Sequence, residues 1–255
     1  MANAGNYNWN WYSDLFDIDT KPKKPKLESH FKFEQVSFQE FQDSHNLDTF
    51  FYDFAGILLT SYRAAYYEGP WIAGGFFTRA LQGETANNFN GDVDVWFKSE
   101  EQRDEFVADL ESDRFGFGAK RAEKYSTNYS YSYIIPYKGK EYKVQLIIYK
   151  TFDSIESLLS RFDLFSTMIG TDGVNVFYEK EKSLVTAKNK RLEYNWKAIE
   201  EREAQPNAIM VMRRYSKFIG NGYSISGIEL EKFIKLIKEL DLLNASNDYN
   251  LTSRG

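Results

Sequence analysis

WIAGGFFTRALQGETANNFNGDVDVWF, residues Trp71 to Phe97, packs a short apolar run, a glycine break, a helix and a second strand into one stretch. Gly74-Gly75 interrupt the apolar run, about two helical turns follow, and Gly83 closes them. After the polar segment Glu84–Gly91 the chain alternates through Asp92, Val93, Asp94 and Val95 to Trp96. Side chains in a strand alternate faces, so Asp92 and Asp94 share one face and the two valines share the other. Carboxylates two residues apart on a strand stand ~7 Å from each other, a spacing that suits Mg²⁺, a hard cation that shares its oxygen ligands with substrate phosphates. Gly74-Gly75 permit close backbone approach at a helix start, where free N–H groups attract phosphate. The stretch reads as a metal–nucleotide site; the competing reading is a pair of surface carboxylates at a strand end.

The 255 residues suffice for one large domain or two small ones. There is no cysteine, which removes disulfides, thiolate metal sites and a Cys nucleophile from consideration. The two histidines, His30 and His45, lie outside the central stretch, leaving little material for zinc chemistry or a Ser-His-Asp triad. No apolar run approaches the ~20 residues of a membrane span, and the N-terminus lacks the apolar core of a signal peptide. The expectation is a cytoplasmic protein with no membrane contact. A net charge of −5 gives no general attraction to nucleic acid, so any such binding must rest on a local patch.

Residues 1–30 read as a flexible extension in which KPKKPK (Lys21–Lys26) cannot be helical. Trp9, Trp11, Leu15 and Phe16 within it form a candidate docking segment for a protein partner; the alternative is a disordered tail. The apolar spacing of Asn46–Tyr66 predicts an amphipathic helix, and Ser99 caps another that runs to about Leu110. Strands are expected over Ala119–Tyr125, Tyr129–Tyr137 and Glu141–Tyr149, the last two joined by a Lys-Gly turn. Gln145 is central in the last of them. Asp172-Gly173 turns the chain into a strand over Val174–Tyr178. Beyond Lys180 the pattern becomes helical: Glu181–Ala204 as one charge-rich helix, then one opened by Pro206 and closed by Gly220 and Gly222, then Gly227–Leu243. The expected division is 1–30, a domain over 31–180, and a helical domain over 181–255.

The series Gly74, Gly75, Arg79, Asp92 and Asp94 resembles the nucleotidyltransferase superfamily with the polymerase-beta-like fold, whose members carry Gly-Gly or Gly-Ser, then an Arg, then Asp-x-Asp. Within it the chain is most similar to the catalytic head of class II tRNA CCA-adding enzymes and bacterial poly(A) polymerases. RFDLFSTMIGTDG (Arg161–Gly173) matches their Arg-Arg-Asp-Phe element at Arg161 and Asp163 and departs at Phe162 and Leu164. MRRYSKFIGNGYSI resembles the stretch that leads into their helical neck, with Arg213 at its first Arg and Lys217 near its Arg-Phe pair. A third carboxylate, frequent in the superfamily, is replaced by Gln145; the class II enzymes are described with two carboxylates only. The interval from Gly75 to Asp92 is long for the family, which suggests a looser loop at Glu84–Gly91. No good copy of the Glu-Asp-x-x-Arg base-reading helix is present, so the resemblance, over roughly Trp71 to Leu243, argues against CCA addition itself.

That resemblance implies a mixed α+β fold, a sheet flanked by helices and followed by a small helical neck. It implies metal-dependent transfer of a nucleoside monophosphate from an NTP such as ATP to a hydroxyl on an RNA end, a protein or a small molecule. Asp92 and Asp94 would hold two Mg²⁺ (or Mn²⁺), Gly74-Gly75 would seat the triphosphate, and Arg79 would neutralise it. Gln145 would bond a phosphate or a metal-bound water, Arg161 and Asp163 would contact the sugar, and Arg213 with Lys217 would add a phosphate contact. The alternative is a catalytically inactive member that keeps the fold as a scaffold or partner-binding surface.

Overall fold

The alternating stretch becomes one of the central strands of a large mixed sheet. A computed structural model describes residues 31–63, 68–114, 116–200 and 204–239; the aromatic N-terminal segment lies outside the described residues. In chain order the body comprises β1 (Phe33–Ser37), α1 (Phe38–His45), α2 (Thr49–Arg63), β2 (Trp71–Ala73), α3 (Gly75–Leu81), β3 (Asp92–Trp96) and α4 (Glu100–Glu111). It continues with β4 (Lys120–Arg121), β5 (Ser130–Tyr137), β6 (Lys140–Ile147), α5 (Ile155–Leu159), β7 (Ile169–Thr171) and β8 (Asn175–Glu179). The remainder is α6 (Ser183–Lys188), β9 (Arg191–Leu192), α7 (Trp196–Glu200), α8 (Ala204–Gly220), β10 (Ser224–Ile225) and α9 (Gly227–Glu239). Strands one to eight form one sheet in the order β1-β8-β7-β2-β3-β6-β5-β4. β3 and β6 run parallel at its centre, and every other neighbouring pair in it is antiparallel.

Alternation divides the core. Ile72, Val93, Val95, Val144 and Leu146 face the aromatic layer of Phe38, Phe50, Phe54, Phe76 and Phe106, all buried. The opposite face carries Trp71, Ala73, Trp96 and Ile147, packed against Ile155, Leu158 and Leu159 of α5. Asp92 and Asp94 share this second face with Trp96. A third cluster joins Leu164, Leu192 and Tyr194 to Val211 of α8 and Phe233 of α9. The buried Glu229 fastens it, its Oε2 accepting from the Tyr194 N–H at 3.0 Å and from Trp196 Nε1 at 2.8 Å.

Three expectations need correction. The charge-rich run after Lys180 is not one helix. Glu179 accepts the N–H groups of Glu181, Lys182 and Ser183 and so starts α6, and Lys190, at φ 48°, ends it. Leu192 and Tyr194 then enter the core two residues apart, in strand spacing, and the Asn195 side chain caps α7 through the Ala198 N–H. The expected strand Ala119–Tyr125 is cut to β4 and a 3-10 turn over Glu123–Tyr125, because Ser132 donates its Oγ to Tyr125 O and its N–H to Ser126 Oγ. Residues 33–45 form β1 and α1, with Ser37 capping the helix through the Glu40 N–H, although no element is expected there from the sequence.

The segment Glu84–Gly91 is also not loose. Phe89 is buried against Phe50, Phe51 and Phe76. Lys140 Nζ donates to the carbonyls of Ala86 (2.8 Å), Asn87 (3.2 Å) and Phe89 (2.9 Å). The extra residues form an anchored turn whose carbonyls converge on one ammonium. Lys140→Met keeps the apolar stem and removes the donor; hydrogen bonds to charged groups put the loss at roughly 1.5–3 kcal/mol, readable as a lowered midpoint in urea unfolding.

Candidate active site

The parallel register of β3 and β6 sets Asp94 opposite Gln145 and Asp92 opposite Lys143. Lys143 Nζ lies 2.7 Å from Asp92 Oδ1, a pair whose side chains are 29% and 38% exposed. The same ammonium stands 5.0 Å from the centre of the Tyr125 ring. Asp94 forms no hydrogen bond or ion pair among the described residues. Its Oδ2 faces the glycine break: a Cβ added at Gly74 would lie 3.8 Å from it and 3.9 Å from Phe162 Cζ. Gly74 itself has φ 100° and ψ −132°, a conformation open to glycine and strained for other residues. One backbone break thus brings the start of α3, a carboxylate of β3 and the ring of Phe162 together. Thr78 Oγ1 holds the arrangement by donating to Ser166 O at 2.5 Å. The Gly74 N–H is committed to Ile169 O at 3.1 Å, so it is not among the free donors expected at this helix start.

Burial and the neighbouring Asp92 carboxylate raise the Asp94 pKa to about 7, against the opposing charges of Lys217, Lys143 and Arg214. Of the two carboxylates on this strand face, Asp92 is paired with Lys143 and Asp94 is buried without a bonded partner. The sign of the linkage follows. The folded state holds a proton on Asp94 that the unfolded chain has lost above its ordinary value near 3.8, so the contribution of this one group to stability is greatest at low pH and falls as pH rises toward 7. Asp94→Asn removes this penalty. Without divalent cations the variant should melt a few degrees above the parent at pH 8 and level with it at pH 4.

Behind this pair, helix α8 crosses the segment that follows α5. Arg214 forms an ion pair with Asp163, which is 1% exposed and whose Oδ2 has no partner. The adjacent Arg213 and, four residues on, Lys217 are both exposed. Lys217 and Arg214 both act on Asp94, so α8 turns a cationic side toward the carboxylates. Arg161 is half-buried in the turn after α5. Arg79 is drawn into the anchored loop: its Nη1 donates to Glu84 Oε1 at 2.8 Å and to Asn90 Oδ1 at 2.9 Å. Its chain lies so close to Gly91 that a Cβ there would stand 2.6 Å from Arg79 Nε.

The Gabija anti-defense 2 family model matches residues 33–190. The chain belongs to the Gabija anti-defense 2 family. Among solved structures it is similar to the Bacillus stearothermophilus CCA-adding enzyme in complex with CTP, with a TM-score of 0.46, 16% identity, and coverage of 71% of this chain and 41% of that one. The family member therefore spans less than half the length of that structure. No curated protein matches the sequence. Among the described residues no helix is long and apolar enough to cross a membrane.

The donor set of this Gabija anti-defense 2 protein suits a divalent cation in one particular way. Among the described residues no three His, Cys, Asp or Glu side chains converge on one point. Asp94, Asp92 and the amide of Gln145 do share one sheet face, and Asp94 has its carboxylate uncommitted. Two carboxylates fit a cation that takes its other oxygens from a bound phosphate. Lys143 and Arg214 were not anticipated as site residues. Period 2 alone assigns Lys143 to the face of Gln145, two positions before it. Arg214 is marked only by the need of the buried Asp163 for a cation, which no local pattern carries.

Proposed function

We propose that the protein is a divalent-cation-dependent nucleotidyltransferase that acts against Gabija defence, attaching a nucleoside monophosphate from an NTP such as ATP to a hydroxyl. The observation that supports it most is the meeting of Asp94, buried and without a bonded partner, with the glycine break before α3 and the cationic side of α8. Asp92 and Asp94 would hold Mg²⁺ or Mn²⁺, with the Gln145 amide beside them. Bound there, the ion would supply Lewis-acid stabilisation to the phosphates. Gly74-Gly75 would let the triphosphate approach the backbone, and Lys217 and Arg213 would neutralise it from α8. Arg161 and Asp163 would orient the sugar, with Arg214 holding the Asp163 carboxylate in place. Arg79 would serve by bracing the loop that leads into Asp92, a role different from the phosphate contact expected from the sequence. The acceptor hydroxyl gives up its proton to solvent as its oxygen bonds to the α-phosphorus, the α,β-anhydride bond breaks, and pyrophosphate leaves with the bonding electron pair. No covalent nucleophile is required, since such transfer depends on positioning and charge. The proposed division is a catalytic part over 31–180 and a helical part over 181–255, working in the cytoplasm where NTPs are abundant.

One observation favours a second reading. Lys143 already neutralises Asp92, as it would in a member that keeps the fold as a scaffold and blocks its target by binding. Calorimetry separates the two. Because only two carboxylates meet at the site among the described residues, Mg²⁺ alone should bind weakly, whereas Mg·ATP or another Mg·NTP should bind clearly and lose that binding in Asp94→Asn. Absence of NTP binding with either Mg²⁺ or Mn²⁺ at millimolar concentration would sustain the scaffold reading instead.

A further inference from the structure

We propose that Lys143 is a built-in counter-ion for Asp92, so that Asp94 and Asp92 hold one divalent cation, shared with the nucleotide phosphates, and not two. This rests on the nucleotidyl transfer proposed above and specifies its metal requirement. The parallel pairing of β3 with β6 places Lys143 opposite Asp92 and Gln145 opposite Asp94, so the two carboxylates have unequal neighbours. Lys143 Nζ has a seat built on two sides: the Asp92 carboxylate at 2.7 Å and the face of Tyr125 at 5.0 Å. Tyr125 is held in turn by the Ser132 hydroxyl, which donates to its carbonyl at 2.9 Å. A second divalent ion on Asp92 would have to sit within a few ångströms of this ammonium, where like charges repel strongly in a half-buried setting. Asp94 offers the contrast. It lacks a bonded partner, has a neutral amide as its cross-strand neighbour, and looks onto a glycine. Lys143 is thus a positioning residue: it holds Asp92 aligned and contributes fixed positive charge where a second ion would otherwise lie.

The count of bound ions tests this directly. Mn²⁺ is titrated into the full chain with the non-hydrolysable analogue α,β-methylene-ATP, and free Mn²⁺ is followed by electron paramagnetic resonance. The parent should bind one Mn²⁺ per chain, and Lys143→Arg, which keeps the charge, should do the same. Lys143→Gln should tighten Mn²⁺ binding without nucleotide at least tenfold, and Lys143→Glu should raise the count with nucleotide to two. Two Mn²⁺ on the parent overturn the inference and leave nucleotidyl transfer standing. Unchanged count and affinity in Lys143→Gln and Lys143→Glu, with melting curves that show folded protein, also overturn it. Failure of every variant to bind either Mn²⁺ or the analogue would overturn the inference and the proposed transfer together.

Discussion

Asp94→Asn should reduce nucleotidyl transfer on the order of 10³-fold or more, the scale on which losing one preorganised charge contact in a reaction centre is felt. Asn keeps the shape of the side chain and removes the anion, so the sheet should stay intact. Val93 and Val95, which face the aromatic core on the other side of the strand, are untouched. Asp92→Asn should be nearly as damaging, with one difference. It releases Lys143 from its partner at 2.7 Å, so some loss of melting temperature should accompany the lost activity. Label transfer from an α-³²P NTP, alongside thermal melting, reads both effects. Activity preserved in both variants would mean that the carboxylate pair plays no chemical part.

The second large effect is expected at the junction between sheet and helices. Arg214→Ala leaves the buried carboxylate of Asp163 without its only charged partner among the described residues. Breaking a buried pair by removing one member costs about 3–5 kcal/mol, and the half-exposed guanidinium argues for the lower end of that range. Asp163→Asn combined with Arg214→Ala should recover much of the loss, because a neutral amide in that place is cheaper to bury. Urea unfolding of both singles and the double variant gives the coupling. Additive losses would mean that the two side chains do not act as a pair.

How far the chain was legible depended on whether the forces were local. The strand and helix of Trp71–Trp96 follow from periods of two and three to four, and the Lys138-Gly139 turn from its residues, both at positive φ. The pairing of Asp94 with Gln145 was also within reach, since both lie opposite buried aliphatic residues and each could face only one way. What local pattern could not carry was contact at a distance. Three carbonyls of the Glu84–Gly91 turn meet Lys140 from another strand, which turns an apparently loose loop into a fixed one. The Asp163–Arg214 pair spans α8 and the segment after α5, and nothing in the local sequence distinguishes Arg214 from its exposed neighbour Arg213. The break within 181–204 likewise depends on Glu179 and Asn195 side chains bonding to backbone, which competes with the helix that the charge pattern suggests. Lys143 is the instructive case. The same alternation that identified Gln145 includes it, but attention to carboxylates passes over a lysine.

Whether the protein transfers nucleotides is best decided by incubating it with each α-³²P-labelled NTP, Mg²⁺ or Mn²⁺, and the components of a Gabija system alongside RNA and small-molecule hydroxyl acceptors. The account predicts label on one of these acceptors, dependent on the divalent ion and absent with the Asp92→Asn, Asp94→Asn double variant. No label on any acceptor from any NTP with either ion, from a protein that still counters Gabija defence with both aspartates replaced, would contradict it.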